Sequence, residues 1–342
     1  MKDTVTYLPI PIPDNNELLE IAEGVYWLRC SMPFKLDHIN LWLIEESDSW
    51  VVIDTGVNLK STKHMWQQVV KSHLKGKPIT KVICTHMHPD HLGLAEWLCQ
   101  EHDAQLYMTQ GEFQAYQAIL QKISSKNYEL DFEFFERGGV SQQEIKNYDK
   151  FINIYKSYIT PINRPYQRLK ANDSLLLGDN EWQVFIGRGH SPEHICLWCP
   201  SLNIFISGDQ LLPTISPNIS VHSDFPEADP LTQWIDSNQA MLRLLKQDTW
   251  ILPAHGKPFI GGNYRIEQQL AEIESDLAKL LSFCQYPCCV IDAFPVLFKK
   301  KINDSNLFMA FGEAQAHFNC LLVRGLINKV PDDETLVNYQ AY

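Results

Sequence analysis

Four apolar runs in this chain stop in the same way. "VIC" at 82–84 runs into THMHPDHLG, "QVFI" at 183–186 into GRGHSPEH, "NIFI" at 203–206 into SGDQ, and "WILP" at 250–253 into AHG. Short runs of β-branched and aliphatic residues closed by turn formers read as buried strands, and the glycines let the backbone turn tightly just past them. Functional groups of α/β folds collect at such strand ends. The pattern places His86, His88, Asp90, His91, His190, Asp209 and His255 there.

The remaining pattern fills in two strand sets. "GVYWLRC", "INLWLIEE" and "WVVIDTG" read as antiparallel strands, followed by a helix that puts Met65, Trp66, Val69, Val70 and Leu74 on one face, with Ser61 or Thr62 as its cap. "ITKVICTH" returns to a strand, and "LAEWLCQEH" after Gly93 starts a helix. From about 111 to 168 the chain is mostly helical and rich in Phe and Tyr, an insertion expected to pack over the site. "SLLLG", "EWQVFIGRGH", "HICLWCP" and "NIFISGD" form a second antiparallel set, with helices over 231–245 and 266–281. After Pro287 a helix and a β-ribbon ("NKVPDDETLVNYQ") suggest a small winged-helix-like unit. The expected domains are a catalytic unit over 1–286 and this unit over 287–342.

Composition narrows the partners. With 45% apolar and 20% charged residues the chain has the profile of an ordinary globular protein. A net charge of −12 repels phosphate backbones and argues against nucleic acid as the main partner; the single basic run, Lys299 to Lys301, is too short to reverse it. No apolar run is long enough to span a bilayer, and the first residues lack an uninterrupted signal core. The nine cysteines lack framework spacing, which fits free thiols in a reducing compartment, so a cytoplasmic setting is expected. Cys196 and Cys199 form a C-x-x-C, but on a strand positions three apart face opposite ways, and packing explains them better than a metal.

Imidazole nitrogen suits zinc and its borderline neighbours, and carboxylate adds charge neutralisation. In extended backbone His86 and His88 project to one side, and Asp90 and His91 follow on a turn, which suits two metals better than one. His38, His64, His73, His102 and His317 lack such a setting and read as surface or core residues. His194 and His222 are left open, as pocket or supporting groups.

"THMHPDHLG", "GHSPEH", "SGDQ" and "PAHG", in this order and with "IDTG" upstream, resemble the motif series of the metallo-β-lactamase superfamily over roughly 20–260. The resemblance implies an α+β fold: an αββα sandwich of two mixed β-sheets flanked by helices, with a small helical, winged-helix-like C-terminal domain. It also implies a dinuclear site, with one metal on His86, His88 and His190, the second on Asp90, His91 and His255, and Asp209 bridging them. Asp54 would orient a ligand without binding metal.

The same resemblance narrows the class. True β-lactamases usually lack one of the positions of His91 and Asp209; the flavin-linked di-iron branch replaces the position of His88 with glutamate; acyl-homoserine lactonases carry tyrosine where Leu212 stands. The expected protein is therefore a glyoxalase-II-like hydrolase. Two divalent ions, zinc foremost with iron or manganese as alternatives, would activate a water to cleave a small ester, thioester or lactone. Asp90 would carry the proton as the catalytic residue. The expected partner is a small-molecule substrate, with no membrane and with self-association compatible. A phosphodiesterase or RNA-processing nuclease, and a mononuclear iron sulfur dioxygenase, are the alternatives.

Overall fold

A computed structural model describes residues 4–331 and 336–342. The chain opens with β1 (Thr6–Tyr7), β2 (Leu18–Ala22), β3 (Val25–Ser31), β4 (His38–Glu45) and β5 (Trp50–Ile53), then α1 (Lys60–Ser72) and β6 (Ile79–Ile83). Short α2 (Pro89–Leu92) and α3 (Ala95–His102) lead to β7 (Gln105–Thr109). Four helices follow: α4 (Gln110–Ser125), α5 (Glu129–Arg137), α6 (Gln142–Ile145) and α7 (Tyr148–Ser157). Next come β8 (Tyr166–Leu169), β9 (Ser174–Leu177), β10 (Asn180–Gly187), β11 (His194–Cys199) and β12 (Ile204–Gly208). The last part holds α8 (Pro230–Leu244), β13 (Trp250–Pro253), β14 (Phe259–Ile260), α9 (Gly262–Phe283), α10 (Phe294–Leu297), α11 (Leu307–Val323), β15 (Ile327–Pro331) and β16 (Val337–Ala341).

Two sheets stack face to face. One runs β2-β3-β4-β5-β6-β7-β8, antiparallel through β5 and parallel from there on; the other runs β1-β14-β13-β12-β11-β10-β9, antiparallel except where β12 meets β13. Between them lie Trp27, Trp42, Ile53, Ile83, Trp182, Leu197, Ile206 and Leu252, while α1 and α3 cover one outer face and α8 and α9 the other. Strands buried on both faces explain why the runs that lead to the candidate ligands read as continuous apolar stretches. This is the expected αββα sandwich of mixed sheets, ending in a helical C-terminal region with a two-stranded ribbon. Among the described residues no helix is long and apolar enough to cross a membrane.

Two local expectations need correction. The first helix starts at Lys60 with Leu59 as its N-cap and no side-chain cap; Thr62 is buried against Cys30 instead, so neither Ser61 nor Thr62 caps it. The stretch 111–168 is helical only to Ser157, and its last residues form β8, which extends the first sheet beside β7. The two-residue pair β1 and β14 is too short to register as a hydrophobic period. The ribbon is present as β15 and β16, but residues 332–335 of its sequence lie outside the described residues.

Cys196 and Cys199 behave as the strand period requires. Cys196 packs with the helices on the outer face and Cys199 between the sheets. α11 is apolar almost all round because it is enclosed by the insertion, by α8 and α9, and by the ribbon, which together form one further core around Phe135, Tyr148, Phe308 and Phe311.

Candidate metal centre

All seven candidate residues meet at one edge of the sandwich, where β6, β10, β12 and β13 end. One atom each from His86, His88, His190 and Asp209 forms a group whose members all lie within 4.8 Å of one another, and Asp90, His91 and His255 form a second. Within the first, His86 Nε2 is 2.8 Å from His88 Nδ1 and 3.2 Å from His190 Nε2. Asp209 reaches both groups: Oδ2 is 3.5 Å from His190 Nε2 and 3.6 Å from His91 Nε2, and Oδ1 is 3.3 Å from His255 Nε2.

The outer nitrogens settle which inner ones are free. His190 Nδ1–H donates to the Asn218 carbonyl and His255 Nδ1–H to the His38 carbonyl, each at 2.7 Å. His91 Nδ1–H donates to Asp54 Oδ2 at 2.7 Å. Asp54, held at φ +61° on the turn after β5, also accepts from the Thr85 N–H at 2.7 Å. Each such bond fixes a tautomer that turns an Nε2 lone pair inward. His91 Nε2, His255 Nε2 and Asp209 Oδ1 are buried and make no hydrogen bond. Three buried polar atoms of one cluster without a hydrogen-bond partner are atoms that a cation would satisfy, so the residues present fit divalent metal.

Electrostatics agree. Burial, with help from neighbouring imidazoles, pushes His86 well below its ordinary range and His88 down to about 3. At His91 and His255 burial is outweighed by carboxylates: Asp54 and Asp90 lead in lifting His91 well above its usual value, and Asp209 leads in lifting His255 to about 10. Asp90 is held down to about 2 despite burial, chiefly by His91 and His255, and the same two imidazoles hold Asp209 well below the carboxylate range. The carboxylates thus hold positive charge on this edge, as protons or as metal.

The two open histidines part company. His194 is fully buried, its ring stacked on His86 at 4.6 Å, and its Nε2 accepts the Asp209 N–H at 3.1 Å. Gly208, at φ +52°, has the His194 ring where a Cβ would stand, so only glycine lets Asp209 sit there. His222 is exposed, outside both groups, on the loop whose Ser223 binds Asp131 of the insertion.

Several supporting residues carried no sequence signal. His38 is not a ligand, yet its Nε2 accepts the Gly256 N–H at 2.8 Å while its carbonyl holds His255. Glu112, fully buried, accepts from the Met87 N–H at 2.9 Å and from Ser191 Oγ and the Glu193 N–H at 2.7 Å each. Burial pushes its pKa up, against those three bonds. Tyr155 of α7 donates to the Met87 carbonyl at 2.6 Å. In sequence, Thr109 and Glu112 have capping-box spacing, which would have explained the glutamate away; only Thr109 caps α4, and the carboxylate goes elsewhere.

Asp54→Asn tests the tautomer argument. An amide opposite His91 Nδ1 presents a donor to a donor, favouring the tautomer that blocks Nε2. Metal affinity of the second group is expected to fall about 10- to 100-fold, read by chelator competition, with secondary structure by circular dichroism unchanged.

Comparison with known proteins agrees with this fold. The sequence profile of the metallo-β-lactamase superfamily matches residues 35–256, and that of a metallo-β-lactamase-like C-terminal domain matches 277–342. The chain is 24% identical to the probable metallo-hydrolase YqjP of Bacillus subtilis over 318 residues, covering 88% of this chain and 92% of that protein. It is 23% identical to the acyl-coenzyme A thioesterase MBLAC2 of Homo sapiens over 196 residues, 55% of this chain and 64% of that one. The crystal structure of a β-lactamase domain protein from Burkholderia ambifaria superposes with a TM-score of 0.88 at 33% identity, covering 99% and 97% of the two chains.

Proposed function

Because the chain belongs to the metallo-β-lactamase superfamily, we propose that it is a dinuclear metallo-hydrolase of small acyl compounds, thioesters first. His86, His88 and His190 would hold one divalent ion and Asp90, His91 and His255 the other, with Asp209 shared. The observation that supports this reading is the convergence of the two groups of imidazoles and carboxylates on Asp209, with His91 Nε2, His255 Nε2 and Asp209 Oδ1 buried and without a hydrogen bond. Imidazole-rich ligation favours zinc. Ions so held supply Lewis acidity and an activated water.

The chain's own residues do the rest. The Asp90 side chain is 20% exposed while those of His86, His91, His190 and His255 are at most 4% exposed, so substrate approaches from the Asp90 side. Asp90 is the carboxylate on that open side, placed to accept the nucleophile's proton and hand it to the leaving group. His190, tied to Asn218, links the site to loop 211–229, and Phe34 packs edge-on against Tyr158 of the insertion at 4.9 Å.

The thioester preference is supported by the similarity to the human acyl-coenzyme A thioesterase, and the net charge of −12 weighs against a nuclease. All nine cysteines are buried and unpaired, which supports a reducing, cytoplasmic setting. The test is a panel of an acyl-CoA thioester, a phenyl ester, a lactone, an alkyl sulfate and a phosphodiester, assayed with the zinc-loaded protein. Thioester hydrolysis, lost with chelator and restored by zinc, is expected. Cleavage of phosphodiester or alkyl sulfate with acyl substrates untouched would overturn the assignment.

A further inference from the structure

Met87 stands between two of the proposed ligands, and both of its backbone groups are bound by side chains of the helical insertion. Its N–H donates to Glu112 Oε2 at 2.9 Å, and its carbonyl accepts from the Tyr155 hydroxyl at 2.6 Å. The other oxygen of Glu112 accepts from Ser191 Oγ and the Glu193 N–H, just past His190. One carboxylate therefore ties the loop after β6, in the first sheet, to the loop between β10 and β11, in the second. Nearby contacts reinforce the seam: Thr109 Oγ1 donates to the Glu193 carbonyl at 2.9 Å and the Gly111 N–H to Glu193 Oε2 at 2.8 Å.

His86 and His88 come from one of those loops and His190 from the other, so the spacing of this ligand triad depends on what joins the sheets there. We propose that Glu112, assisted by Tyr155, is a positioning residue that sets the distance between the two loops and thereby the affinity of the His86, His88, His190 metal position. The inference rests on the metal-binding reading above. Three donors converge on Glu112, and only a carboxylate has acceptors for all of them. A glutamine offers one oxygen and one NH2, so in either orientation it sets donor against donor. The insertion is then part of the metal centre's frame as well as a wall over it.

The experiment compares wild type, Glu112→Gln, Glu112→Asp, Tyr155→Phe and a matched control, Glu96→Gln. Glu96 is also buried and ties the insertion's end through Arg164 and the Asn163 N–H, away from the ligands. Zinc affinity and stoichiometry are read by chelator competition, and the thermal midpoint is measured on metal-free protein. In Glu112→Gln one of two zinc ions should bind about 10- to 100-fold more weakly while the other is retained. Glu112→Asp should recover part of that loss, Tyr155→Phe should lose about 5-fold, and Glu96→Gln should lose nothing.

Two zinc ions bound to Glu112→Gln with wild-type affinity would overturn the inference alone. So would equal losses in Glu112→Gln and Glu96→Gln that follow their thermal midpoints, since that is what a merely structural tie gives. Wild-type protein that binds no metal would overturn the hydrolase reading, and this inference with it.

Discussion

Asp209→Ala is expected to lower turnover by roughly 10³-fold and to reduce bound metal. Asp209 reaches both ligand groups, with contacts to His190 and His91 through one oxygen and to His255 through the other. Without it the two groups keep their separate imidazoles but lose the anion that offsets adjacent cations. The backbone has independent support: its N–H is held by His194, and Gly208 and Ala254 are joined by a main-chain bond of 3.0 Å. The variant should therefore fold, and circular dichroism beside metal analysis and turnover separates a chemical loss from a structural one. Unchanged turnover would remove Asp209 from the site.

Gly93→Ala is expected to damage the fold itself. A Cβ there would be driven against the carbonyl oxygens of Pro89, Tyr158 and Gly56, three backbone segments that cannot swing aside as a side-chain tip can. The Gly93 carbonyl also accepts the Thr160 N–H at 2.7 Å, so this glycine is where the ligand loop, the β5 turn and the end of the insertion close on one another. A cost of about 3 kcal/mol, at the upper end for overpacking, is expected in denaturant unfolding. Gly76→Ala is the comparison: its φ is +77° but nothing stands within 4 Å of the added carbon. That change should cost about 1 kcal/mol, the backbone penalty alone. Equal effects at both sites would contradict the steric account.

The candidate ligands were legible because their signal is local. His86, His88, Asp90 and His91 share one turn, and His190, Asp209 and His255 each follow their own apolar strand by a few residues. The sandwich was legible for the same reason, since each buried strand announces itself by composition. What supports the ligands was not, because those bonds join distant parts of the chain. Glu112 is 25 residues from Met87, Tyr155 is 68 from it, and His38 is 218 from Gly256. Nothing in a window around any of the three distinguishes it from a helix-start acid, an aromatic stripe or a surface histidine. His194 lay between these cases: its place four residues past His190 marked it for a role, but the bond it accepts from Asp209 depends on how β11 and β12 pair.

The proposed two-metal centre makes a direct demand on metal stoichiometry. Elemental analysis of the purified full chain, after equilibration with zinc and removal of excess, tests it most directly. Two equivalents of zinc per chain are expected, falling to one or fewer in Asp209→Ala. Wild-type protein that holds no stoichiometric metal, or hydrolyses its substrate at full rate after metal has been stripped, would contradict it.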